Sequence, residues 1–311
     1  MKRIKKKAVV ITGIILVLLV IGGVIGYKTY VYLNSNEYHL KELGYSETEV
    51  SDIMKLDKTY IDTILTLEYD ENIIPLFQEK YFILSNLNEY LSYKKENKDM
   101  SYTDIVASVN VNSNLDWYTD PKVSNLDDGY LILVNKFNYL PEGYTPDDLV
   151  NMNLQYAFSG KQIREEVYSS FKGLVKDAKK EGLTIVANST FRTYDYQENL
   201  YNRYKNSNGK EYADGYAARA GHSEHQTGLA IDVSTLNSTM DNFEETEEFT
   251  WLQEHAHEYG FILRYPKDKE FITGYNYESW HYRYVGEKVA KEIKDLGITF
   301  DEYYAYYIAR N

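Results

Sequence analysis

Short alternating segments that follow helical ones, without a regular strand-helix-strand rhythm, predict an α+β fold: a mostly antiparallel sheet with helices packed on one side. A charge-free apolar run near the N-terminus predicts that a transmembrane helix, then a small helical region, precede that domain. The 311 residues include no cysteine, so burial rather than disulfides must hold the chain together.

The elements follow in order. Residues 1–7 form a basic tail (Lys2, Arg3, Lys5, Lys6, Lys7), and Ala8 to Gly26 is an apolar run of 19 residues. That length spans a bilayer, and basic residues before an acidic chain place the tail inside the cell and everything from Lys28 onwards outside. Residues 8–27 therefore read as an uncleaved signal-anchor helix. A cleaved signal peptide is the rival, but its apolar core is usually about 7–15 residues and ends in a small-x-small site that is not clean here.

Residues 34–110 read as a helical stalk or small domain without a legible role. Gly44 is a helix stop, Ser46 with Glu49 is a capping box, and Ile53, Leu56, Tyr60 and Ile64 continue at helical spacing. The Asn-, Asp- and Ser-rich stretch 112–128 is the expected boundary, and 130–311 the main domain. There, 135–149 reads as an irregular entry loop, 161–180 as a helix stopped by Gly182, and 183–187 as a strand. Residues 249–259 read as a second helix stopped by Gly260, with 261–263 and 282–285 as further strands.

Two segments carry chemistry. In Gly228 to Val233 an alternating pattern sends Leu229, Ile231 and Val233 into a core and turns Ala230 and Asp232 the other way. His225 lies just upstream of Thr227-Gly228, where a turn can bring its ring back over Asp232. Glu278-Ser-Trp-His281 follows 46 residues after Asp232. Two imidazoles and a carboxylate are a donor set that holds zinc with one position open, and Glu278 is the spare carboxylate suited to general-base work. Glu278 and His281 would face opposite ways on a flat strand, so a bend or helical turn is expected between them.

These segments, with Ser189-Thr-Phe-Arg192-Thr-Tyr-Asp-Tyr-Gln197, resemble the zinc D,D- and L,D-carboxypeptidases of the VanY-like M15B family, over roughly Val134 to the C-terminus. The resemblance implies a hedgehog/D,D-peptidase type of fold and one zinc per chain held by His225, Asp232 and His281. It implies Glu278 as base, Arg192 as the oxyanion-stabilising arginine, and Gln197 and Ser223 near the bound substrate. Phe191, Ala220 and Ser279 depart from the family's usual Tyr, Pro and Pro; none removes a group the chemistry needs. His222, three residues from His225, is a second-choice ligand without a matching family position.

The expected function is removal of the C-terminal D-alanine from peptidoglycan stem peptides, at the outer face of a bacterial membrane spanned once. An L,D-carboxypeptidase acting on tetrapeptide stems, or a non-catalytic zinc-containing wall-binding protein, are the alternatives. Setting aside the five basic residues of the tail leaves 29 Lys and Arg against 47 Asp and Glu, a net of −18 that argues against a nucleic-acid partner. Ser-x-x-Lys, a mark of serine peptidases, occurs at Ser92/Lys95, Ser169/Lys172 and Ser207/Lys210 with no Lys-Thr-Gly to accompany it. His255-x-His257 sits about 200° apart on its expected helix and cannot present both rings to one metal.

Overall fold

The computed structural model describes residues 2–236 and 240–310, and side chains from residue 12 onwards except 237–241. The basic side chains of residues 2–7 thus lie outside the described residues. The chain divides into two compact units, Met1–Val106 and Ala107–Asn311.

The first unit is helical. Helix α1 (Lys2–Leu33) contains a stretch, Thr12–Leu33, long and apolar enough to cross a membrane; at 1.5 Å per residue it reaches about 33 Å. Short helices follow: α2 (Asn36–Leu43), α3 (Glu47–Ile53), α4 (Lys58–Ile64), α5 (Ile73–Gln78) and α6 (Leu87–Glu96). Gly44 adopts φ 110° and closes α2, while Ser46 and Glu49 make both bonds of the capping box that starts α3. The helical spacing from Ile53 to Ile64 is interrupted, however: the chain turns at residues 54–57 and α4 begins at Lys58. Leu40, Ile53, Ile64, Ile73, Leu76 and Tyr90 form the buried centre of this unit.

Helix α7 (Tyr102–Asn110) contains the division between the units. The second unit begins with paired two-residue strands, β1 (Lys122–Val123) and β2 (Asn138–Tyr139). Strands β3 (Leu149–Asn151) and β4 (Gln162–Arg164) then form an antiparallel pair. The expected helix over 161–180 is therefore shorter: Ile163 pairs with Val150, and α8 runs Glu165–Lys180. Apolar spacing did not separate these states, because Ile163 enters the same core from a strand as it would from a helix.

The main sheet holds four antiparallel strands in the order β5 (Val186–Ser189), β6 (Ala230–Ser234), β8 (His281–Tyr284) and β7 (Phe261–Leu263). Its helices are α8, α9 (Tyr194–Asn208), α10 (Lys210–Tyr216), α11 (Glu247–His255), α12 (Glu270–Thr273), α13 (Glu287–Leu296) and α14 (Phe300–Tyr303). Ile231 and Val233 of β6, Tyr282 and Tyr284 of β8 and Phe261 of β7 point to one face. There they pack with Val167, Phe171 and Leu174 of α8 and with Trp251 and Leu252 of α11. Period-two alternation then turns Asp232, His281 and Arg283 to the opposite face. Strand β5 begins three residues and ends two residues later than its apolar run suggested, with a register shift between Ala187 and Ser189. Gly260 caps the turn after α11 at φ 81°; a Cβ there would sit 2.7 Å from the Tyr284 ring.

Candidate active site

The opposite face carries the donors. Asp232 on β6 lies directly across from His281 on β8 in the antiparallel register. His225 comes from a single turn of 3-10 helix, Glu224–Thr227, closed by Gly228 at φ 67°. A Cβ on Gly228 would lie 2.9 Å from the Arg164 side chain, so the turn that folds His225 back towards Asp232 needs glycine. One donor atom from each of His225, Asp232 and His281 falls within 4.8 Å of the others, and all three residues are buried. Among the described residues no other His, Cys, Asp and Glu group converges this way.

The contacts fix which atoms face inward. His225 Nδ1 bonds the Thr190 carbonyl at 2.7 Å, leaving Nε2 3.3 Å from Asp232 Oδ2. His281 Nδ1 is 3.0 Å from Asp232 Oδ1, while its Nε2 faces Glu224 Oε2 at 3.4 Å. Each ring thus keeps one nitrogen for the cluster and gives the other to an oxygen acceptor, the arrangement that orients metal-ligating imidazoles. Two nitrogens and a carboxylate, buried and without sulfur, fit zinc.

The surrounding groups occupy the same cleft, about 460 Å³, lined by Arg192, Gln197, Ser223 and Glu278 among others. Arg192 donates from Nη2 to Asp232 Oδ2 at 2.6 Å and from Nε to the Ser189 hydroxyl at 2.9 Å. Gln197 accepts from Arg192 Nη1 at 3.4 Å and donates to the Ala218 carbonyl at 2.8 Å. Glu278 Oε2 lies 3.7 Å from His281 Nδ1. The expected bend is present: the backbone turns at Ser279-Trp280, and His281 N–H donates to the Glu278 carbonyl at 3.3 Å. This turn sets Glu278 and His281 on one side despite their odd spacing.

Electrostatics distinguish the four groups. Burial pushes the Glu278 carboxyl up to about 8. Burial, with the Arg192 charge behind it, pushes His225 down to about 4. For His281 burial opposes charge, but hydrogen bonds to Asp232 and Glu224 outweigh it and hold the ring near 9. Asp232, although buried, is kept well below the usual carboxylate range by His225 and Arg192.

Other sequence candidates lie elsewhere. His222 Nδ1 bonds the Asn135 carbonyl, and its ring packs on Tyr118 and Tyr139, outside the donor cluster. His255 packs on Trp251 and faces Glu258, and neither it nor His257 joins a metal-type group. Lys172 lies over the Tyr168 ring beside an exposed Ser169. Sequence reasoning missed Glu224. It is buried beside His281 and accepts from Arg264 Nε and Arg283 Nη1, each at 2.7 Å.

The fold is similar to that of solved carboxypeptidases. A family model described as VanY, D-alanyl-D-alanine carboxypeptidase, matches residues 160–287. The YodJ protein of Bacillus subtilis (strain 168) is 42% identical over 181 residues, 56% of this chain and 66% of its own length. The bifunctional D-Ala-D-Ala dipeptidase and D-Ala-D-Ala carboxypeptidase VanXYC of Enterococcus gallinarum is 33% identical over 57% of this chain and 94% of its own length. A solved structure of the LdcB LD-carboxypeptidase aligns with a TM-score of 0.56 at 40% identity, covering 60% of this chain and 90% of that one. The chain belongs to the VanY family. It spans 66%, 58% and 65% of the length of three of its curated relatives.

Proposed function

We propose that this chain is a zinc-dependent carboxypeptidase that removes the C-terminal D-alanine from peptidoglycan stem peptides. The observation that carries the reading is the convergence of His225, Asp232 and His281 in a cleft that also holds Glu278 and Arg192. His225 Nε2, His281 Nδ1 and an Asp232 oxygen would hold one zinc per chain. Zinc bound there supplies Lewis acidity, which polarises a carbonyl and acidifies water. Glu278 takes the proton of the attacking water and passes it to the leaving amine. Arg192, held by Ser189 and Gln197, directs its guanidinium at the developing oxyanion. Gln197 and Ser223 line the substrate side of the cleft.

We further propose that residues 8–27 anchor the chain in the bacterial cell membrane as a single pass, with 1–7 cytoplasmic. Residues 34–110 would form a helical spacer, and 130–311 an extracellular catalytic domain. The apolar stretch Thr12–Leu33 supports the anchor. The similarity to LdcB favours a second register, L,D-cleavage of tetrapeptide stems by the same residues.

The test is hydrolysis of defined penta- and tetrapeptide stems by the zinc-loaded full-length chain in detergent. Release of D-alanine from the pentapeptide is expected. Release from the tetrapeptide alone would move the assignment to the L,D reading, and cleavage of neither would remove the catalytic one.

A further inference from the structure

Behind the donor cluster lies a chain of buried charges that the proposed catalysis does not use. Glu224 Oε1 accepts from both Arg264 Nε and Arg283 Nη1, and its Oε2 faces His281 Nε2. Arg264 Nη1 donates to Asp301 Oδ2 at 2.6 Å, and Asp301 Oδ1 accepts from Asn135 at 2.8 Å. Arg283 Nη2 donates to the Tyr130 and Ile132 carbonyls at 2.9 and 2.8 Å. Arg264, Arg283, Glu224 and Asp301 are all at most 2% exposed. Four buried charges carry a large desolvation cost that apolar residues of similar size would avoid. Two carboxylates against two guanidiniums balance the charge, and what the arrangement delivers at its end is one carboxylate oxygen against one imidazole nitrogen.

Resting on the zinc reading above, we propose that Glu224 is a positioning residue for His281, fixing its ring and tautomer so that an unprotonated Nδ1 faces the metal, and that Asp301 braces Glu224 through Arg264. An ionised carboxylate can only accept, so it requires Nε2 to carry the proton and leaves Nδ1 as the free lone pair. The two arginines occupy the other oxygen and prevent the carboxylate from rotating away. Tyr265 packs against the ring, centroids 4.8 Å apart, and blocks its swing on that side.

Two substitutions separate this role from mere packing. Glu224→Gln can keep its carbonyl oxygen on the arginines only by pointing its NH2 group at His281 Nε2. That donor forces the proton onto Nδ1, which can then no longer ligate. Turning the amide over would instead place NH2 against two guanidiniums. Glu224→Asp keeps the charge and the arginine pairs but is one methylene too short to reach Nε2 as well. Zinc dissociation constants of the full-length chain in detergent, measured by competition with a chromogenic chelator, should rise about 10–100-fold for both variants. Asp301→Asn should follow in the same direction by less. The zinc-dependent rise in Tm should shrink in parallel, with Glu224→Asp retaining the Tm of the metal-free protein should Glu224→Gln fold poorly. Wild-type zinc affinity in a folded Glu224→Asp chain would overturn the inference. Failure of the unsubstituted chain to bind zinc would instead overturn the metal reading, and this inference with it.

Discussion

Replacing Glu278 by glutamine tests the assigned base with little change of shape. The side chain is 8% exposed, and its backbone is fixed by two bonds that the substitution keeps: its N–H to the Tyr265 carbonyl at 3.1 Å and its carbonyl from His281 N–H. With Oε2 3.7 Å from His281 Nδ1, the carboxylate stands beside the donor cluster, within reach of a water attacking there. An amide of the same size keeps that position but cannot take a proton. Loss of a general base costs about 10²–10⁴ in rate, or about 3–5 kcal/mol of barrier at 1.36 kcal/mol per decade. Glu278→Gln should therefore lower kcat by at least about 10² while metal analysis still finds zinc. Stability gives a second readout. In the metal-free protein burial lifts this carboxyl from 4.5 to about 8, so the folded chain holds a proton there that the unfolded chain has released. Between those values Glu278 lowers stability as pH rises, with no effect below about 4.5 and the full effect above about 8. Chelated Glu278→Gln protein should match wild type in Tm at pH 4.5 and exceed it by a growing margin towards pH 8. Near-normal turnover with zinc in place would refute the assignment of the base.

Strong chelators should abolish activity and added zinc restore it, since the three donors bind metal only when deprotonated; turnover by protein verified as zinc-free would end the metal reading. Arg192→Ala should lower kcat/KM by about 10²–10³, the size of one oxyanion donor, and peptide hydrolysis at saturating zinc measures it; an unchanged value would assign oxyanion binding elsewhere. A β-lactam should neither label nor inhibit the chain, and Ser92→Ala, Ser169→Ala and Ser207→Ala should each retain activity, because the proposed reaction forms no acyl-serine. Mass spectrometry showing a stoichiometric adduct would overturn that. Ile231→Ala removes a fully buried side chain from the face of β6 that meets α8 and α11, and chemical denaturation should show a loss of about 2–5 kcal/mol.

What was legible in the sequence was what local rules encode. Alternation placed Ile231 and Val233 in the core and Asp232 on the other face, because a strand's period is two whichever partners it finds. Gly44, Gly182 and Gly260 each adopt positive φ where a helix or helical turn was expected to stop. The errors fall where a partner outside the segment decides. Ile163 would be buried on a helix or a strand, and only the pairing of β4 with residues 149–151 selects the strand. That partner begins at Leu149, the last residue of the stretch 135–149 whose prolines and glycine read as loop. Similarly, helical spacing from Ile53 to Ile64 survives a turn at 54–57, since Ile53, Ile61 and Ile64 are buried whether or not the helix between them is continuous.

The site divides along the same line. His225, Asp232, Glu278 and His281 stand out because two imidazoles and two carboxylates are residue types suited to a metal site, and the odd spacing of Glu278 and His281 demanded the turn found at Ser279-Trp280. Glu224 carries no such signal. It sits in a polar stretch beside His225, where an acidic residue ordinarily reads as solvent-facing. Its burial becomes intelligible only with Arg264, 40 residues on, and Arg283, 59 residues on, both packed against it. A carboxylate that needs two distant cations to be buried cannot be recognised from its neighbours in sequence. Those cations are in turn fixed from outside the sheet, Arg264 by Asp301 of α14 and Arg283 by carbonyls of residues 130 and 132. The orientation of His281 therefore depends on segments at both ends of the second unit. On the proposed zinc reading, substitutions at Asn135 or Asp301 should weaken zinc binding through that chain of contacts, and chelator competition set beside the Tm of the metal-free protein would show the loss of affinity to exceed any loss of stability.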